Sequence, residues 1–284
     1  MRRSFFPLLF AGLAALSLHD VFAQYPSRPI RLVAGFPPGG GPDIVARLLA
    51  PKLSDALGQP VVVENRVGGT GTIAGEAVAK SPPDGHTLLV GHDGLFVINP
   101  HLYREMPIDP LKDLAPVTSL VSNGFFLAIN PSVPARDFVE FIEYARRADP
   151  PLQYGSGGNG SQHHLTMERL KARAGINMVH VPYKGGAPAT TAAVAGEVAA
   201  MMSGTSTAGQ IRAGRLRAIA FTGPQRSRVL PDVPAIAEFY PDFVMVQWYG
   251  LFAPAGTPDA AIARLRAETN KILALPDQIG RAHV

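Results

Sequence analysis

The chain has 284 residues, 46% of them hydrophobic, and a formal charge of only +4, so it can bury more than one small core. The charge is spread without a block of one sign, which gives no footing for nucleic acid as a partner. Cysteine is absent, and this excludes disulfides, thiolate nucleophiles, sulfur-ligated metal sites and a lipoprotein anchor.

The first segment reads as a leader. "MRRSFFPLLFAGLAALSLHDVFA" sets two arginines before an apolar stretch from Phe5 to Leu18, then a polar break and Val21-Phe22-Ala23. The stretch is short and interrupted by Pro and Gly, poorly suited to spanning a membrane, and its end suits a signal peptidase. Residues 1–23 are expected to be a signal peptide, cleaved after Ala23, and the mature protein is expected in the periplasm.

From Tyr25 onward, apolar runs of strand length alternate with segments of helical periodicity. "IRLVAGF" (30–36) precedes a helix with Ile44, Leu48, Leu49 and Leu53 on one face. "PVVVEN" (60–65), a helix carrying Ile73, Ala77 and Val78, "HTLLVGH" (86–92) and "PVTSLVS" (116–122) follow. A second series runs through "FFLAINP" (125–131), a helix over 137–148, "LQYGSG" (152–157), a helix over 161–174 and "NMVHVPY" (177–183). It continues with a helix over 187–195, "EVAAMMS" (197–203), a short helix to Ala213 and "LRAIAFTG" (216–223). "VMVQWYGLFAPAG" (244–256) leads into a last helix from near Thr257. Strands that are apolar throughout and separated by helices form a parallel or mixed sheet covered on both faces. The expected fold is α/β, with a discontinuous lobe 1 (24–122 and 230–284), a continuous lobe 2 (123–229) and two crossings between them. Such an arrangement leaves a cleft at the carboxyl ends of the strands. The last six residues, "IGRAHV", neither close nor cap the final helix. They can be encoded by sequencing-adapter read-through, so 279–284 are expected to be foreign and the native C-terminus missing.

Four glycine loops stand where strands give way to helices, two per expected lobe. In "FPPGGGPD", Pro37 and Pro38 stiffen the approach, Gly39, Gly40 and Gly41 free the backbone, and Pro42 suits a first helical turn. Bare N–H groups and the positive end of the helix dipole would face the cleft and hold an anion without a lysine. Asp43 near that N-terminus caps the helix or meets the ligand, capping being the plainer role. "NRVGGTGTIAG" (65–75) repeats the arrangement with Gly69 and Thr70, but its glycines miss the dinucleotide spacing. "YGSGGNGSQHHL" (154–165) brings Ser156, Gly157, Asn159 and Ser161 to a helix start, with His164 bonding back to the loop. "VPYKGGAPA" (181–189) brings Lys184, Gly185 and Gly186. Backbone donors from both sides of a cleft suit carboxylates, which need several hydrogen bonds once removed from water.

Enzymatic motifs fail on spacing. A serine-hydrolase elbow needs G-x-S-x-G, but Ser156 follows Tyr154 and "GTSTA" around Ser206 ends in Ala208. His163, His164 and His180 lack a carboxylate at metal-ligand spacing; no metal and no cofactor is expected. His92 and Asp93 end a strand facing the cleft, without a nucleophile beside them. Met201 and Met202 read as core, Trp248 and Tyr249 as packing at a lobe crossing, and Arg212, Arg215 and Arg217 as a solvated helix end. A secreted hydrolase or lyase on this scaffold, or an envelope sensor using the same cleft, are the rival readings.

Several stretches carry a family resemblance: "YPSRPIRLV", "FPPGGGPDIVARLLAPKLSDALGQPVVVENRVGG", "AVAKSPPDGHTLLVG", "YGSGGNGSQHHL", "VPYKGGAPA", "RVLPDVPAIAEF" and "WYGLFAPAGTP". From Tyr25 to about Pro276 the chain resembles the periplasmic substrate-binding proteins of tripartite tricarboxylate transporters, the Bug-type receptors. The resemblance implies a two-lobe, type II periplasmic-binding-protein fold, a mixed sheet in each lobe, and a monomer that delivers a small carboxylate to permease subunits in the membrane. It also implies that amides of Pro38 to Gly40 hold the ligand carboxylate, with Asp43 nearby, and that loops at Ser156 to Ser161 and Lys184 to Gly186 close from the other lobe. Two departures stand out. "GHDGL" (91–95) puts His92 and Asp93 where many relatives have neutral hydroxyls, a counter-charge for an ammonium group. Ser203 stands where many have an aspartate, which removes such a partner. Di- or tricarboxylates, aromatic acids and amino acids are all expected ligands.

Overall fold

The computed structural model describes residues 25–275, apart from the side chain of Thr205; the expected leader and residues 279–284 lie outside the described residues. In chain order the elements are β1 (Ile30–Ala34), α1 (Gly41–Leu57), β2 (Val61–Asn65), α2 (Thr72–Ala79), β3 (Thr87–His92), α3 (Asn99–Leu102), α4 (Pro110–Asp113), β4 (Leu114–Gly124) and β5 (Phe126–Ile129). There follow α5 (Phe138–Arg147), β6 (Leu152–Ser156), α6 (Gln162–Ala174), β7 (Met178–Pro182), α7 (Gly186–Ala195), β8 (Ala200–Ser203), α8 (Ala208–Arg212), β9 (Arg217–Phe221), β10 (Val246–Pro254) and α9 (Asp259–Leu273). Their ends follow the residues that punctuate the sequence. Helix α1 opens behind Gly40 with a proline in its first turn and stops at Gly58, whose left-handed backbone returns its amide to the Ser54 carbonyl. Helix α6 opens on Ser161, whose side chain accepts from the His164 amide, and stops at Gly175 in the same left-handed geometry.

The strands form two mixed sheets of five, in the orders β2-β1-β3-β10-β4 and β7-β6-β8-β5-β9. In the first, β1 pairs in parallel with β2 and β3, while β10 runs antiparallel to β3 and β4. In the second, β6 pairs in parallel with β7 and β8, while β5 runs antiparallel to β8 and β9. Apolar strands need cover on both faces. One face of the first sheet packs α1 and α9 through Leu49, Leu53, Leu265 and Ile272, and the other packs Ala74 and Val78 of α2 with Leu95 and Phe252. The second sheet carries Phe138, Phe141, Met167 and Leu170 on one face and the alanines of α7 on the other.

Two neighbouring segments join the sheets. Phe125 separates β4 from β5, and β10 enters the first sheet at Val246, paired with Gly124. Thr222 stitches the two together: its hydroxyl accepts from the Phe125 amide at 2.8 Å and donates to the Met245 carbonyl at 2.6 Å. Its own backbone bonds Phe125 and Met245 as well. The sequence reading returned the chain to lobe 1 at 230, but Ala235 pairs with Phe221 while Ile236 and Phe243 pack in the second core. Only at 246 does β-pairing with the first sheet begin. A turn-rich segment without a strand of its own offered no pattern from which that attachment could be read.

Thr222→Val keeps the side chain's shape and removes the bonds that tie the crossings. It is expected to destabilise the protein by about 2–4 kcal/mol, since it strands a buried N–H and a carbonyl; urea unfolding measures this.

Candidate functional site

Where the carboxyl ends of the parallel strands of both sheets meet, the chain lines a cleft of about 360 Å³. The loop after β1, the corner after β3 and the start of the antiparallel β10 line it from the first sheet, and the starts of α6 and α7 and the turn after β8 from the second. Parallel strands direct their following loops to one edge, so residues distant in sequence converge there. The two sides touch: a Cβ on Gly185 (φ +112°) would lie 2.9 Å from Pro37 Cδ, and the Gln162 side-chain amide donates to Asp93.

Helix α1 presents its first turn to this cavity through Gly39, Gly40, Gly41 and Pro42. No side chain caps Gly40, so the opening amides of the helix have no intrahelical or capping acceptor. Glycine at 41 is required by crowding, because a Cβ there would sit 2.2 Å from the Tyr249 hydroxyl oxygen. Asp43 braces the loop from beneath: its carboxylate accepts from the Gly39 amide at 2.9 Å, Arg47 Nε at 2.9 Å and Asn65 Nδ2 at 2.8 Å. Burial opposes its ionisation, but the hydrogen bonds from Arg47, Gly39 and Asn65 outweigh burial and hold its carboxyl below the ordinary aspartate range. Helix α7 likewise starts behind Gly185 without a side-chain cap.

The corner after β3 is built on hydrogen bonds. His92 Nδ1 accepts from the Gly94 amide at 3.0 Å, so its Nε2 carries the proton and donates to the Thr70 carbonyl, also at 3.0 Å. Asp93 is 2% exposed and accepts from the Gly94 amide at 2.8 Å as well as from Gln162. Asn99, fully buried, donates to the carbonyl of Thr70 and to Thr72 Oγ1, each at 3.0 Å, and so fixes the second glycine loop. Among the described residues that line the cavity there is no lysine or arginine, and Asp93 is the one carboxylate.

Of the residues expected from the sequence to bind the ligand, Gly39, Gly40, Thr70, His92, Asp93, Ser161 and Gly186 line the cavity. The others stand back from it. Pro38 and Gly69 are exposed, as are Asn159 and Lys184; Gly185 abuts Pro37 and Gly157 lies against His163. Asp43 is spent on its loop. Ser156 is bonded to His180 Nε2 and to Gly158, and Ser203 to the Phe126 carbonyl and Thr207. His164 accepts from the Gly160 amide, the loop contact expected of it, and stacks on His180 with ring centroids 3.9 Å apart.

Further lining residues come from Gln162, His163, Thr207, Gln210, Gln247 and Tyr249. Tyr249, for which packing is the plainer expectation, packs in the first core and also faces the cavity, because β10 sets it in register with His92. Alternation along β10 puts Gln247 on the same face, but only the pairing with β3 shows where that face points. Met201 is both core and lining. Trp248 packs on Phe96 and Phe252, as expected.

The histidines near the cavity are poor bases. Burial pushes His163 down to about 4, against a smaller upward pull from Asp93. Burial, and then the neighbouring His164, bring His180 to about 4, and burial also lowers His164. Burial and the Asp93 carboxylate raise the Tyr249 phenol, which stays a protonated donor.

These values set an acid-side prediction. The unfolded histidines take up protons near their ordinary value of 6.5 and the folded ones only near 4, so stability is complete above pH 6.5 and is lost as pH falls towards 4. Tm is expected to drop by roughly 5 °C or more over that window, and His163→Gln, which cannot titrate, to flatten the slope in a calorimetric pH series. Asp43→Ala is expected to cost about 2–4 kcal/mol by leaving the Gly39 amide and its neighbours unpaired, and to weaken ligand binding with it; chemical unfolding and calorimetric titration check both effects.

Residues 45–281 match the tripartite tricarboxylate transporter family receptor, TctC. A protein encoded in the tcbD–tcbE intergenic region of Pseudomonas sp. (strain P51) is 40% identical over 277 residues, 95% of this chain and 82% of that protein. An R. palustris protein solved with adipate superposes with a TM-score of 0.88 at 34% identity, covering 90% of this chain and 87% of the other. The periplasmic binding protein BugD gives 0.85 at 34% identity, with 90% and 86% covered. The sequence identity holds along nearly the whole chain and the two-sheet architecture is shared; this chain belongs to the tripartite tricarboxylate transporter receptor family.

Proposed function

We propose that this chain is a periplasmic receptor that closes around a small organic acid and hands it to the membrane subunits of a tripartite transporter. One observation carries the reading: a cleft of about 360 Å³ between the two sheets meets the uncapped starts of α1 and α7 and has no lysine or arginine among its described lining residues. Amides at helix starts favour a carboxylate, and the volume lies at the lower end of the range for small-molecule sites. The adipate held by the R. palustris relative is an acid of the same class. The His92 imidazole at the cavity is tied at both nitrogens to backbone groups, and the Ser156–His180 pair is not among the described residues that line the cavity.

In this reading the uncapped first turn of α1, entered at the Gly41 amide, takes one carboxylate while the Gly39 and Gly40 amides hold the loop through Asp43 and the Pro37 carbonyl; Thr70 and Ser161 add hydroxyls, and Gly186 closes from the opposite side. Asp43, Ser156, His164 and Ser203 hold the loops in place. Lobe 1 comprises the chain up to Gly124 and from Val246 onward, and lobe 2 is the stretch between. The leader ends at Ala23 and the mature receptor acts as a monomer.

Binding to the folded state alone raises stability by about 2.7 kcal/mol at a hundredfold excess over Kd. A thermal-shift screen of mono-, di- and tricarboxylates, aromatic acids and amino acids is expected to find at least one acid that raises Tm by ~5 °C or more and is recovered unchanged by mass spectrometry. Gly41→Val, whose side chain enters the space of the Tyr249 hydroxyl, is expected to abolish the shift. Consumption of the acid, or indifference of the wild-type protein to every acid offered, refutes the reading.

A further inference from the structure

We propose that Asp93 makes this cavity selective for organic acids that also carry a protonated nitrogen, with the carboxylate at the start of α1 and the ammonium group on the Asp93 side chain. The inference rests on the receptor reading above and adds the second group of the ligand.

A carboxylate is an unexpected wall for an anion site. Asp93 is 2% exposed, lines the cavity and meets no lysine or arginine among the described lining residues. The histidines beside it do not neutralise it. His92 accepts from the Gly94 amide through Nδ1 and donates to the Thr70 carbonyl through Nε2, which is the hydrogen-bond pattern of a neutral ring. His163 is held neutral by burial. An acid with no positive group would therefore enter with Asp93 uncompensated, two like charges in one water-poor space.

The same corner offers acceptors with room to spare. The Gly94 amide bonds Oδ1 and the Gln162 side chain bonds Oδ2, so each carboxylate oxygen keeps a further lone pair. Because a carboxylate only accepts, the Gln162 amide must turn its nitrogen to Asp93. This leaves Gln162 Oε1 buried and without a partner among the described residues, and Gln210 Oε1, on another cavity-lining residue, is left the same way. An ammonium group brings three N–H donors and a charge to such a corner, whereas a hydroxyl brings one donor and none. Gln162 belongs to the opposite sheet's side of the cavity, so the carboxylate that would hold the ammonium also joins the two sides.

The test is a set of matched acids titrated calorimetrically into the wild-type mature chain, each amine-bearing acid set against its amine-free counterpart. Aspartate with succinate, glutamate with glutarate, and aromatic amino acids with the corresponding arylpropionates make up the set. The amine-bearing member of the binding pair is expected to bind at least about 30-fold more tightly, the scale of a buried charge pair losing one partner. Asp93→Asn is expected to erase that preference while the amine-free acid binds as well as before or better. Equal or tighter binding of amine-free acids by the wild-type chain overturns the proposal and leaves the receptor reading standing, and this arm needs no variant to fold. Equal weakening of both members of a pair by Asp93→Asn overturns it too, since a purely structural role would act that way. If no acid of either kind binds, the receptor reading itself falls, and this inference with it.

Discussion

Removing a carboxylate from water leaves its oxygens in need of several hydrogen bonds, and a protein that uses no cationic side chain must find them in its own backbone. The constraint that organises this molecule is therefore where helices begin. Helices α1 and α7 start at glycines, with no serine, threonine or aspartate side chain on their first amides. An exposed helix start left this way in an ordinary protein would be bonded to water. Here two sheets bring those starts to one cavity, and the side chains that would have served as caps do other work: Asp43 reaches back to the Gly39 amide and holds the loop that leads into the helix.

Such a loop is useful only if it stays in one shape. Asp43, Asn65 and Arg47 form one hydrogen-bonded unit beneath it, and Asn99 ties the neighbouring glycine loop to Thr72. Small residues bring the backbone close where a side chain would intrude, as at Gly41 beside Tyr249 and at Gly185 against Pro37. The rigidity is thus local to each side of the cavity. Among the described residues the sides are joined by the two crossings, laced by Thr222, and by direct contacts such as Gln162 with Asp93. Hinged closure of two stiff halves is the motion that suits this arrangement.

Neutrality extends from the loops to the ring nitrogens. His163 and His180 are held well below their ordinary value by burial, and His92 spends both nitrogens on backbone groups. At neutral pH His163 and His180 are donors and acceptors without charge. Asp93 is then the feature that breaks the pattern, and it is the residue through which a cavity suited to acids in general becomes particular about which acid it takes.

Much of this could be read from the chain itself because local chemistry decides it. Apolar runs of strand length, helices opened by Gly-Pro or Ser and closed by Gly58 or Gly175, and the glycine loops at strand ends all follow from φ/ψ limits and periodicity acting within a few residues. They led to an α/β fold with two sheets and to Gly39, Gly40, Thr70, His92, Asp93, Ser161 and Gly186 at the cavity. What the tertiary structure alone decided is pairing and attachment over long separations. The insertion of β10 between β3 and β4 turned Tyr249 and Gln247 towards the cavity, and the packing of Ile236 and Phe243 kept the chain in the second core beyond 230. Likewise, a carboxylate such as Asp43 and one such as Asp93 look alike in a sequence. Only the donors that fold around each determine that the first is consumed in holding a loop while the second, with fewer donors, lines the cavity.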